Sequence, residues 1–79
     1  MWYVYVLLCN DNSFYCGITK NIDRRLKQHN GINKGGAKYT RSRRPCRLIY
    51  IKKAVDHSTA LKEEYRFKSL SRKNKELFF

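Results

Sequence analysis

A chain of 79 residues, 42% hydrophobic and 14% aromatic, suits one small domain and is too apolar for a disordered tail. Lys and Arg number 18 against 6 Asp and Glu, a net charge of +12, and such an excess draws polyanions because each phosphate neutralised releases a condensed counterion. A core this small excludes a deep internal pocket, and basic residues spread over helices and a loop suit a membrane surface poorly.

In chain order, Trp2 to Leu8 is aromatic and β-branched and reads as a buried strand, far shorter than a membrane span. Asn10 to Ser13 is a turn cluster. Phe14 to Ile18 returns as a second strand, closing a hairpin. Asn21 is placed to cap a helix over Ile22 to Asn30, with Asp23 in its first turn and Gly31 as its stop. Residues 31–46 carry Gly31, Gly35, Gly36 and Pro45 among basic residues and read as a long flexible loop. Arg47 to Lys53 alternates as a third strand. Asp56 or Ser58 caps a second helix to about Leu70, and Ser71 caps a short third helix to the C-terminus. The order is β-β-α-β-α-α, an α/β domain with a small sheet backed by helices, filling residues 1–79 without linker or repeat.

Cys9, Cys16 and Cys46 are odd in number, and their spacing fits neither a disulfide framework nor a zinc module; His29 and His57 do not complete one. Reduced thiols and a cytoplasmic setting are expected, with no signal peptide.

Three groups of side chains could carry chemistry. At 100° per residue, Ile22 and Leu26 form the apolar stripe of the first helix, and Arg25 and His29 lie stacked on its flank. An Arg held there offers a rigid fork to a phosphate; the plain alternative is a snorkelling Arg beside a satisfied His. On the second helix Ala60, Leu61, Tyr65, Phe67 and Leu70 form an apolar sector. Glu64 falls near its centre and Glu63 near its edge. A carboxylate there needs a salt bridge or a cation. Tyr3, Tyr5 and Tyr15 lie in the hairpin and Tyr39 in the loop, as core residues or as hydroxyls that position water.

The ordered set Tyr3-Val4-Tyr5, Tyr15-Cys16-Gly17, Arg25 and His29 on a helix, and Glu64 on a later helix resembles the GIY-YIG endonuclease superfamily. The segment Ala60 to Tyr65 looks like its small stand-alone, single-domain members. The resemblance covers the whole chain. Tyr3 stands where the family has its first Gly, and Cys16 where it has an aliphatic residue; neither change removes a chemical group. Asn74 lies in the region of a late family Asn.

The resemblance implies an α+β fold, a small three-stranded antiparallel sheet flanked by helices. It also implies metal-assisted hydrolysis of a phosphodiester, with DNA favoured over RNA and a repair or recombination role. Glu64 would hold one Mg²⁺ or Mn²⁺ and Arg25 would bind a phosphate oxygen. Tyr5, as a deprotonated or hydrogen-bonded phenol, would activate water, and Tyr15 and His29 would position water or share the proton. Gly17 would let the substrate approach. Lys34, Lys38, Arg41, Arg43 and Arg44 would track the nucleic-acid backbone, and Tyr39 would stack on a base or pack the loop down. A protein partner could supply targeting. The competing readings are a catalytically silent nucleic-acid-binding module of the same fold and a protein-interaction domain.

The tyrosines face the same way only if paired residue numbers in the hairpin sum to an even value, as with a three-residue loop such as Asp11 to Ser13.

Overall fold

The computed structural model describes residues 1–78; the last residue of the C-terminal helix expected from the sequence lies outside them. Strands β1 (Trp2–Leu8), β2 (Phe14–Thr19) and β3 (Arg47–Ala54) form an antiparallel sheet in the order β2-β1-β3. Helix α1 spans Ile22–His29, α2 Lys38–Arg41, α3 His57–Lys68 and α4 Arg72–Phe78. The order is therefore β-β-α-α-β-α-α, one short helix more than the sequence patterning predicts.

β1 is the central strand, and both its faces are covered. This explains why it reads as an unbroken apolar run, whereas β3, at an edge, carries Lys52 and Lys53. Val4 and Val6 point into a cluster with Cys16, Ala54, Ala60 and Phe67 beneath α3. Tyr5 and Leu7 point the other way, toward Cys9, Cys46, Ile22 and Leu26. A bulge shifts β3 between Val6 and Leu7, so Val6 pairs with Tyr50 but Leu7 with Leu48.

The hairpin has the expected parity. Tyr5 pairs with Gly17 and Leu7 with Tyr15, so the two tyrosines share a face. The three-residue loop is Asn10 to Asn12, one residue earlier than expected: the Cys9 N–H donates to the Ser13 carbonyl at 2.9 Å. Asn12 adopts φ +66°, a left-handed conformation that Asn tolerates.

Asn21 and Asp56 cap α1 and α3, their side chains accepting from the N–H groups of Arg24 and Thr59 at 3.1 and 2.8 Å. Gly31 ends α1 at φ +80°. On α3 the packed stripe runs through Ala60, Glu63 and Glu64 and Phe67, and continues to Leu70 just past the helix end. Leu61 and Tyr65, expected in that stripe, are 43% and 75% exposed. They stand one residue past Ala60 and Glu64, about 100° round the helix, and the two half-buried glutamates occupy the middle of the stripe instead.

The segment expected to be a flexible loop is tied down. Asn30 acts like a backbone strand toward Cys46: its Nδ2 donates to the Cys46 carbonyl at 2.9 Å and its Oδ1 accepts from the Cys46 N–H at 2.6 Å. Asn30→Ala would leave both backbone groups short of partners inside the fold. It is expected to lower stability by about 2 kcal/mol, read as a shift of the urea midpoint with unchanged slope. A loss below about 0.5 kcal/mol would show that water replaces the clamp.

Candidate active site

The site is built at the seam between the β1–β2 hairpin, α1 and α2. Tyr5 leaves the centre of β1 and is 2% exposed. Its ring lies over Gly17, its direct partner on β2: a Cβ added to Gly17 would collide with the Tyr5 hydroxyl. The glycine expected to admit substrate thus makes room for a phenol.

Tyr5 Oη lies 2.8 Å from His29 Nε2, and His29 Nδ1 lies 2.9 Å from Thr40 Oγ1. His29 and Thr40 are fully buried. The Thr40 hydroxyl donates back to the Ala37 carbonyl at 3.0 Å. Arg25, one turn before His29, lies close enough to Tyr5 to act on its phenol, and its Nη1 donates to the Gly35 carbonyl at 2.7 Å and Gln28 Oε1 at 2.9 Å. Tyr15 is half-buried beside them, its ring centroid 4.9 Å from that of His29, edge-on, and 6.5 Å from that of Tyr5.

Burial decides the ionisation of the pair. It pushes the Tyr5 phenol up to about 12, against the opposing hydrogen bond from Arg25. It holds the His29 imidazole down at about 4, and the charges of Arg25 and Arg44 add to the effect. At neutral pH the phenol is therefore protonated and the imidazole neutral. A free phenolate is disfavoured, and a hydrogen-bonded phenol remains.

Glu64 stands across β2. It is on α3, 19% exposed at the side chain, with Lys68 Nζ at 3.6 Å. Burial, and then the charge of Glu64, push the neighbouring Cys16 thiol up to about 12. Cys16 alternates with Tyr15 and Gly17 along the edge strand, so the acid and the tyrosines flank β2 from opposite faces. Among the described residues no three His, Cys, Asp or Glu side chains gather into a metal cluster.

The basic loop divides in two. Arg43 and Arg44, read from sequence as backbone-tracking residues, turn inward. Arg43 Nε pairs with Asp11 at 2.9 Å, its Nη1 donates to the Tyr39 carbonyl at 2.8 Å, and its guanidinium lies 4.0 Å from the Tyr39 ring centre. Arg44 donates to the His29 carbonyl at 2.7 Å. Tyr39 packs the loop down, its ring 5.7 Å from that of Tyr15. Lys34, Lys38 and Arg41 remain exposed. Asn74 is exposed on α4, with its N–H donating to Ser71 Oγ at 3.3 Å. Sequence reasoning missed Thr40: a lone Thr in a Gly-rich basic stretch carries no periodic signal, and the short Lys-Tyr-Thr-Arg run was its only trace.

Residues 1–77 match the family model of the GIY-YIG catalytic domain. The chain belongs to the GIY-YIG family. Its relatives include a UPF0213 protein of Bacillus velezensis, 50% identical over 96% of this chain and 75% of the relative. Another, from Lactiplantibacillus plantarum, is 55% identical over 90% of this chain and 70% of the relative. The solution NMR structure of a UPF0213 protein from Bacillus halodurans superposes with a TM-score of 0.62 at 46% identity, covering 99% of this chain and 82% of that one. That of a protein from E. faecalis gives 0.64 at 50% identity, over 96% of this chain and 79% of that one. GIY-YIG domains are a nuclease family, and the antiparallel α+β fold expected from the sequence is the observed one.

A buried neutral His makes stability depend on pH. The unfolded imidazole takes a proton near pH 6.5 and the folded one at about 4. Between these values the unfolded state binds more protons, so stability falls as pH drops, by up to about 1.4 kcal/mol per pH unit. Asp11 and Asp56, lowered from 3.8 by hydrogen bonds to Ser13 and Thr59 respectively, act only below this window. Unfolding titrations from pH 7 to 4.5 are expected to show this slope, and His29→Gln to flatten it. An equal slope in the variant would assign it to other groups.

Proposed function

We propose that this GIY-YIG domain hydrolyses phosphodiester bonds in nucleic acid as an endonuclease, with DNA favoured over RNA. The observation that carries the reading is the convergence of Tyr5, Tyr15, His29 and Arg25 at one seam beneath a basic loop. A neutral phenol hydrogen-bonded to a neutral imidazole can take a proton from water and pass its own on. Arg25 Nη1 is already oriented by Gly35 and Gln28, which holds the guanidinium at the site for a non-bridging phosphate oxygen. Tyr15, more open than Tyr5, positions the attacking water. Lys34, Lys38 and Arg41 contact the backbone, while Arg43, Arg44 and Tyr39 hold the loop in shape for them.

A lone carboxylate fits a hard divalent cation such as Mg²⁺ or Mn²⁺, which keeps most of its shell as water and substrate phosphate. It does not fit a transition metal that needs several His or Cys ligands. Glu64 has the required character: it is half-buried, and its partner Lys68 is exposed and distant enough to be displaced. When bound, one such ion would neutralise phosphate charge and stabilise the leaving oxygen. Glu64 and the tyrosines flank β2, so the scissile phosphate would straddle that edge strand. The repair or recombination role, a cytoplasmic setting, action as a single domain and a targeting partner complete the reading. Among the described residues no helix is long and apolar enough to cross a membrane.

The test is cleavage of labelled linear, nicked, branched and single-stranded substrates with Mg²⁺ or Mn²⁺. Tyr5→Phe, Arg25→Ala and Glu64→Ala are each expected to slow cleavage by at least about 100-fold. Cleavage indifferent to Glu64→Ala would overturn the metal-dependent mechanism. Binding without cleavage by the parent chain would leave a nucleic-acid-binding module.

A further inference from the structure

We infer that Thr40, in the short helix of the basic loop, is a positioning residue that sets the tautomer of His29, so that His29 accepts the phenolic proton of Tyr5. The inference rests on the nuclease reading for its catalytic meaning, but the geometry that carries it does not.

Thr40 Oγ1 stands 3.0 Å from the Ala37 carbonyl oxygen and 2.9 Å from His29 Nδ1. A carbonyl oxygen can only accept, so two oxygens at that distance need a hydrogen between them, and the Thr40 hydroxyl supplies its only one. Thr40 therefore has only lone pairs left for His29, and Nδ1 must carry the N–H. A neutral imidazole protonated at Nδ1 is bare at Nε2. The 2.8 Å contact between Nε2 and Tyr5 Oη is then a hydrogen bond donated by the phenol. The Arg25 guanidinium, which carries donors only, lowers the Tyr5 phenol against its burial and agrees with this polarity. The chain of donors runs one way, from Tyr5 through His29 to Thr40 and the Ala37 carbonyl. The opposite tautomer would leave two oxygens facing each other without a proton, one of them on the fully buried Thr40 side chain.

The consequence for the reaction is a balanced relay. A water O–H bond breaks and its proton goes to Tyr5 Oη. The Tyr5 O–H bond breaks and its proton goes to His29 Nε2. The resulting hydroxide forms the new P–O bond as the bond to the leaving oxygen breaks. The imidazolium left behind keeps its Nδ1–H on Thr40. The other groups around His29 are Tyr15 from β2, Arg25 on its own helix and Arg44 from the loop; Tyr39 of α2 lies behind Tyr15. Nδ1 is already held by Thr40. Because α2 also carries Lys38 and Arg41, the element that grips the nucleic acid is the one that orients the proton acceptor.

The experiment is nitrogen-detected NMR of the His29 ring in the intact chain at neutral pH, with Thr40→Val and Thr40→Ser. The wild type and Thr40→Ser are expected to show the Nδ1–H tautomer, and Thr40→Val, of the same shape without the hydroxyl, a shift toward the other tautomer or a mixture. An Nε2–H tautomer in the wild type overturns the inference, and that measurement stands even if Thr40→Val does not fold. An unchanged tautomer in folded Thr40→Val also overturns it. Where the parent chain cleaves, Thr40→Val is expected to slow cleavage at least about tenfold with substrate affinity unchanged, and Thr40→Ser to restore it. Cleavage at the wild-type rate by Thr40→Val overturns the catalytic role. The expected tautomer in a chain that cleaves nothing supports the positioning and overturns the nuclease reading alone.

Discussion

The hydrogen bond between Tyr5 and His29 joins two side chains that the fold has removed from water, and most of the surrounding structure answers to that burial. A polar group inside a protein costs several kcal/mol unless it is partnered, so each atom of the pair needs a neighbour with the right donor or acceptor. Gly17 is bare because the phenol occupies the space of its side chain. Helix α1 ends at His29, where the ring reaches the sheet, and the loop returns to bring Thr40 to the remaining ring nitrogen. Among the described residues no buried side-chain nitrogen or oxygen lacks a partner.

The sheet separates stability from chemistry. One face of β1 packs aliphatic residues against α3, and the other carries the tyrosine, the histidine and the loop. The edge strand β2 belongs to both, with Tyr15 and Gly17 on one side and Cys16 beneath Glu64 on the other. A short chain thereby brings groups from a hairpin and two helices to the rim of one strand without a deep pocket. The cations divide in the same spirit. Arg43 and Arg44 offer planar forks to Asp11 and to backbone carbonyls and so shape the loop, whereas the more flexible Lys34 and Lys38 stay in water.

The elements were legible because their signals are local. The aromatic, β-branched run of Trp2 to Leu8, the caps at Asn21 and Asp56 and the stop at Gly31 each act within a few residues, and the structure keeps them all. Hairpin parity stood in the sequence only as a condition, since the Asn-rich turn permits a three-residue loop, and the strand pairing decided it. The outer face of α3 was not: Leu61 and Tyr65 look like core in a helical projection, yet the contact with β2 turned the stripe toward Glu63 and Glu64. Helix α2 was also invisible, because four residues do not hold a helix without tertiary support.

For this protein, the order of strands and helices apart from α2, the basic character and the residues that mark the family were determined by the sequence alone, through short-range preferences and residue identity. The partners of those residues were decided only by the tertiary structure. Tyr5 meets His29 across 24 positions and His29 meets Thr40 across 11. Contacts at such separations depend on how the sheet, α1 and the loop pack together, and on which buried polar atoms would otherwise go unpaired, neither of which any local pattern encodes.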